Sequence, residues 1–204
     1  MELASPLLRG VLGPLFVGHG TQKLFGWFGG QGLERTGQYF ESLGLRPGRR
    51  QALAAGTAEA VSGALLTAGA LTPLACTVMS ATMVTAIRRV LLEHGPWATE
   101  GGYEYALTII AATAAITELG PGRPSFDTAL MPRIKGPRLA AAQIGAAIAA
   151  SYLLDRLSKG APGAGAKGQA VSAVDACATG SGEDVGSHGD LTDRAFSAVF
   201  APAG

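Results

Sequence analysis

Five stretches of the chain are almost continuously apolar, near residues 5–28, 52–72, 74–92, 103–119 and 138–157. Each approaches the ~20 residues that an α-helix needs to cross a bilayer at about 1.5 Å per residue. The first, Pro6 to Phe28, is interrupted by Arg9, His19, Gln22 and Lys23. The second, Ala52 to Leu71, is broken only by Glu59, and Thr72-Pro73 joins it to the third. Proline suits a helix start, where its missing N–H does no harm. The third, Leu74 to Leu92, carries Arg88 and Arg89 near its end, and the fourth, Tyr103 to Leu119, stops at Gly120-Pro121-Gly122. The fifth, Arg138 to Leu157, is alanine-rich with Gln143 and Ser151 inside. Alanine is only mildly apolar, so spanning the membrane, lying on its surface and packing on the bundle all stay open for this helix. From Ser158 the chain turns to Gly, Ala, Ser, Asp and Pro without periodicity and reads as disordered.

The expected fold is all-α: a membrane-embedded antiparallel four-helix bundle over residues 1–130, a fifth helix at 131–157 and a disordered tail at 158–204. Small residues such as Gly10, Gly13, Gly56, Gly63 and Gly69 lie within or beside these helices. They let backbones approach closely, which is how helices associate in lipid.

Composition agrees with this pattern. Apolar residues make up 48% and charged residues 15%, against about 25% charged in an ordinary soluble domain. Net charge is +1, which excludes a polyanion partner such as nucleic acid on composition. The cluster Arg46, Arg49 and Arg50 reads as membrane-flanking, as do Trp27, Tyr39, Trp97, Tyr103 and Tyr105 as interfacial aromatics and Arg88 and Arg89 as anchors. The N-terminus lacks a basic region and a cleavage signal, so the first apolar block is expected to be retained. These features point to a multi-pass membrane protein. Orientation is contradictory: Arg35, Arg46, Arg49 and Arg50 favour one side, and Arg123, Arg133, Lys135 and Arg138 the other. The two cysteines, Cys76 and Cys177, form no CxxC motif, and neither a disulfide between them nor a metal site is expected.

Ionisable groups within membrane helices face the bundle interior or a cavity. Antiparallel helices bring the end of helix one, the start of helix two, the end of helix three and the start of helix four to one side. Lys23 then lies ~7.5 Å before the end of helix one and Glu59 ~10 Å after the start of helix two. A Lys23–Glu59 pair follows. His19 is four residues before Lys23 on the same face, and Arg88, Glu104 and Tyr105 reach the same side. The candidate polar pocket is therefore His19, Gln22, Lys23, Glu59, Glu104 and Tyr105. It could bind a polar head group such as a quinone or relay protons. Equally, Lys23–Glu59 could be an ion pair that fixes helix register.

The ordered set Gly18-His19-Gly20-Thr21-Gln22-Lys23-Leu24-Phe25-Gly26-Trp27, Thr36-Gly37, Phe40, Leu43-Gly44, Ala55-Gly56 with Glu59, Gly101-Gly102-Tyr103-Glu104-Tyr105, and Gly120-Pro121-Gly122 with Ser125-Phe126-Asp127 resembles the DoxX family of small membrane proteins. The resemblance covers roughly residues 5–130. It implies a four-helix membrane bundle and a redox association. The family name comes from a subunit of a thiosulfate:quinone oxidoreductase, and a mycobacterial member is linked to a complex with superoxide dismutase and a sulfurtransferase. The expected partners are thus the lipid bilayer and a soluble oxidoreductase or another membrane subunit, with quinone as the candidate cofactor. Without paired cysteines, thiol–disulfide chemistry would depend on those partners. The competing reading is a non-catalytic membrane scaffold or small-solute carrier, with the tail recruiting partners.

Overall fold

The computed structural model describes residues 3–130 and 134–159. Among them are seven α-helices and no strand: α1 Ala4–Phe25, α2 Gly32–Ser42, α3 Gly48–Ala68, α4 Thr72–Arg89, α5 Glu104–Leu119, α6 Phe126–Leu130 and α7 Pro137–Lys159. The expected tail lies outside the described residues from position 160 onward, and Ser158 belongs to α7.

The four long N-terminal helices close a ring in which α1 packs on α3, α3 on α4, α4 on α5 and α5 on α1. The fifth apolar stretch forms α7, which lies in the groove between α4 and α5. The core holds Phe16, Leu66, Met79, Met83, Leu91 and Ile116. α1 and α3 approach each other backbone to backbone. A Cβ on Gly20 would lie 2.5 Å from the Ala60 backbone nitrogen, and one on Gly63 2.6 Å from the Gly13 carbonyl oxygen. No side chain fits at either distance, so glycine there is a packing requirement.

The helix limits differ from the expected ones in physically readable ways. α1 stops at Phe25 because Gly26 takes a left-handed conformation (φ 74°) and its N–H bonds to the Gln22 carbonyl. α3 starts four residues earlier than Ala52, behind Pro47, whose carbonyl accepts the Gln51 N–H at 3.2 Å and which has no N–H to carry the helix further back. Two helices, α2 and α6, fall in stretches read as loops. α2 packs across α3 and α1 through Gly37, which sits against Gly48 and Arg49.

Among the described residues, no helix is long and apolar enough to cross a membrane. The reason lies in how each helix divides its polarity. The face of α1 turned outward carries Leu7, Val11 and Leu15, all more than half exposed. Its buried face carries Ser5, Arg9, Gly13, Gly20, Thr21 and Lys23. Buried polar residues recur on α3 (Glu59, Ser62), α4 (Thr72, Ser80), α5 (Thr113, Thr117) and α7 (Gln143, Ser151). Helix averages are diluted by the interior, and α5, uninterrupted between its terminal turns, has only 16 residues.

Candidate functional site

Lys23, in the last turn of α1, and Glu59, in the middle of α3, meet inside the bundle. Lys23 Nζ donates to Glu59 Oε2 at 2.6 Å, and the two residues are 7% and 3% exposed. The pair forms even though the helix ends lie elsewhere than expected, because α3 extends beyond α1 by its first turns and is clasped there by α2. Burying two charges is favourable only when they pair closely. One turn before Lys23, the half-buried His19 faces Phe16 edge-on at 6.4 Å between ring centroids. His19 Nδ1 and Gln22 Oε1 are 3.1 Å apart, and Gln22 Nε2 donates to the Phe28 carbonyl at 3.4 Å. Phe25 and Trp27 follow immediately, both exposed, with ring centroids 5.2 Å apart and planes tilted by 38°. This half of the site thus has a buried ion pair, a half-buried polar rim and an exposed aromatic edge.

Residues 5–94 match the family model described as DoxX. That part of the chain belongs to the DoxX family. No curated protein and no solved structure matches the chain. The match takes in α1 through α4 and includes Lys23, Glu59, His19 and Gln22. It ends before α5, short of the stretch to residue 130 that the sequence resemblance spans.

Glu104 and Tyr105 are engaged elsewhere. The Glu104 carboxylate accepts the Ala98 N–H at 2.9 Å and closes the loop before α5. The Tyr105 ring is exposed on the outer face. Tyr103, expected at the interface, packs against the core. Trp27 and Trp97 are exposed as expected, but the Tyr39 hydroxyl is buried. Among the described residues, no group of three His, Cys, Asp or Glu side chains is placed to hold a metal ion. The Cys76 thiol is free and buried in α4, and Cys177 lies outside the described residues.

Arg88 and Arg89 are not free anchors. Arg88 donates to Ser151 Oγ at 2.8 Å and to Asp155 Oδ2 at 2.7 Å, with its guanidinium 3.7 Å from the Tyr152 ring centroid. Arg89 donates through Nε and Nη2 to Asp155 Oδ1 at 3.0 and 2.5 Å. The reason is α7: its last turns supply a carboxylate that α4 would otherwise lack. A signal was present in the sequence, because Gln143, Ser151 and Asp155 fall at multiples of four and share a helix face.

The opposite end of the bundle holds two charged residues whose roles the sequence did not disclose. Arg9 donates to the carbonyls of Leu66 (2.9 Å), Thr67 (3.0 Å), Pro121 (2.5 Å) and Pro124 (3.1 Å). It satisfies the Thr67 carbonyl near the end of α3 and shares that of Leu66 with the Gly69 N–H. Asp127 accepts the N–H groups of Leu71 (2.8 Å) and Thr72 (2.7 Å), which caps α4 and holds Leu71 at a positive φ of 48°. Together they fasten the α3–α4 turn to the segment after α5.

Proposed function

We propose that the chain is a multi-pass protein of a bacterial inner or plasma membrane and serves as a redox-associated subunit. In this reading the rim formed by His19 and Gln22 binds a quinone head group, and the same end of the bundle docks a soluble oxidoreductase. Membrane residence is supported by the inverted polarity of the bundle. Leucines and valines such as Leu7, Val11, Leu53 and Val61 face outward, while Arg9, Lys23 and Glu59 are inside. An outer surface of this kind is stable against hydrocarbon and marks an interaction site in water. The 22 residues of α1 reach about 33 Å, close to the ~30 Å of a hydrocarbon core.

The observation that carries the quinone reading is the sequence of environments at the end of α1. A quinone carbonyl needs hydrogen-bond donors at the edge of an apolar zone, and its ring needs an aromatic or aliphatic wall. Gln22 and His19 supply polar groups, Phe25 and Trp27 the wall, and the Lys23–Glu59 pair a fixed charge behind them. The experiment is thermal unfolding of detergent-purified protein with and without a short-chain ubiquinone or menaquinone. Quinone should raise Tm by several degrees, and His19→Ala with Gln22→Ala should abolish the rise while leaving the quinone-free Tm near that of the parent. No rise with either quinone sinks the reading and favours the non-catalytic scaffold or solute carrier.

A further inference from the structure

The seam between α4, α5 and α7 is polar over much of its length. Thr72, Cys76 and Ser80 are spaced by four on α4 and share one face, and Thr113 and Thr117 do the same on α5. Ser80 Oγ and Thr113 Oγ1 are 2.9 Å apart, which sets the antiparallel register and brings Cys76 beside Thr117 with Thr72 beyond. Gln143 enters from α7 and donates through Nε2 to Ser80 Oγ at 3.0 Å.

Three side-chain oxygens in this seam have no nitrogen or oxygen partner among the described residues: Thr72 Oγ1, Thr117 Oγ1 and Gln143 Oε1. Their residues are 0%, 1% and 3% exposed. The Thr117 hydroxyl lies against the Cys76 sulfur, which is a weak acceptor and leaves the lone pairs of Thr117 Oγ1 unmet. Buried polar groups are almost always paired, with protein or with ordered water. Toward the other end, the fully buried Ala147 interrupts the polar stripe of α7. Past it, Thr85, Ser151, Arg88, Arg89 and Asp155 are hydrogen-bonded to one another. The unmet demand therefore lies on one side of Ala147 only. On that side the seam ends at Asp127, whose carboxylate holds the Thr72 N–H.

The geometry points to a file of bound water in this seam, a half-channel that runs from the Asp127 end to Gln143 and is closed by Ala147. The Gln143 carbonyl and the Thr117 and Thr72 hydroxyls are its ligands, and Ser80 and Cys76 line it. A buried water needs two or more polar partners, and α4, α5 and α7 each present at least one here. The file gives the bundle interior a hydrogen-bonded route from one end to its middle and none across. It is independent of the quinone reading, because none of its residues belongs to the His19–Glu59 group.

Cys76 is a native reporter of this water. In the otherwise intact chain carrying Cys177→Ser, it is the sole thiol. Exchange of its S–H for S–D in heavy water is followed by infrared absorption, and exchange of the α4 backbone amides by mass spectrometry. A hydrated seam exchanges the thiol while the α4 amides near residues 76–80 stay protected. A thiol as protected as those amides overturns the proposal. The isosteric Thr117→Val gives a second reading, free of size change. Loss of a water ligand should lower Tm by about 2–6 °C. A rise in Tm, the expected result of removing an unpaired hydroxyl from a dry seam, also overturns it.

Discussion

The α1–α3 and α4–α7 interfaces both bury charge, but they are built in opposite ways. Between α1 and α3 the backbones themselves touch, at Gly20 against Ala60 and at Gly63 against Gly13, and a single ion pair lies among them. Between α4 and α7 glycine plays no part, and a Cβ on Gly145 would meet nothing within 4 Å. Side chains hold that interface instead, through Gln143, Ser151 and Asp155. Backbone contact cannot adjust to a change, whereas side-chain hydrogen bonds can be lost one at a time. The first interface should therefore fail as a unit and the second by degrees. The first also lies wholly inside the DoxX match, and the second reaches beyond it.

The sharpest way to break the comparison is at the ion pair. Glu59→Ala leaves Lys23 buried without a counter-charge and should cost about 3–5 kcal/mol in reversible unfolding. The double variant Lys23→Met with Glu59→Leu removes both charges and should recover most of that loss. A single variant that unfolds like the parent would mean that Lys23 reaches water and the pair fixes nothing. Next in size is Gly20→Ala. Its methyl group would collide with the Ala60 nitrogen, and overpacking of that kind costs about 1–3 kcal/mol. The loss should appear as a cooperative shift of the whole transition, because α1 and α3 cannot separate locally.

Asp155→Ala tests the other side. It removes the shared acceptor of Arg88 and Arg89, and hydrogen bonds to charged groups are each worth about 1.5–3 kcal/mol before partial exposure reduces them. The loss should be confined to α7. Hydrogen exchange should speed up in residues 148–159 while α1 and α3 keep their protection. Equal loss of protection in α1 would show that α7 is no more separable than the ring.

Much of this was legible in the chain. The five apolar blocks each became a long helix because apolar continuity over that length admits few other solutions. Lys23 and Glu59 were found by depth alone, since antiparallel helices leave few positions where opposite charges can meet. What was missed has a common cause. Arg9, Asp127 and Glu104 bond to backbone groups, and the availability of a carbonyl or an N–H depends on where a helix ends. Helix ends are the least certain feature of a sequence reading. Asp155 is hidden differently, because the overall apolarity of α7 masks its polar stripe. α2 does not stand out in the sequence, because its 11 residues are too short to compete with the membrane-length blocks.

The smallest expected effect concerns a second arginine–carboxylate pair that looks comparable on paper. Arg49 Nε and Glu34 Oε2 are 3.7 Å apart and join α3 to α2, as Arg89 and Asp155 join α4 to α7. Their side chains are 69% and 74% exposed, against 21% and 13% for the other pair. At that exposure solvent screens the attraction, and the cost of ordering two long side chains offsets most of what is left. What holds α2 on α3 is the seat of Gly37 against Gly48 and Arg49, together with the Glu41 carboxylate that accepts the Gly48 N–H at 3.0 Å. Glu34→Ala should therefore change stability by less than about 0.5 kcal/mol, and raising salt should leave even that difference unmeasurable. Glu41→Ala should cost more than Glu34→Ala. The reverse order would mean that the α2–α3 contact depends on its surface charges, as α4–α7 does on Asp155, and not on backbone fit.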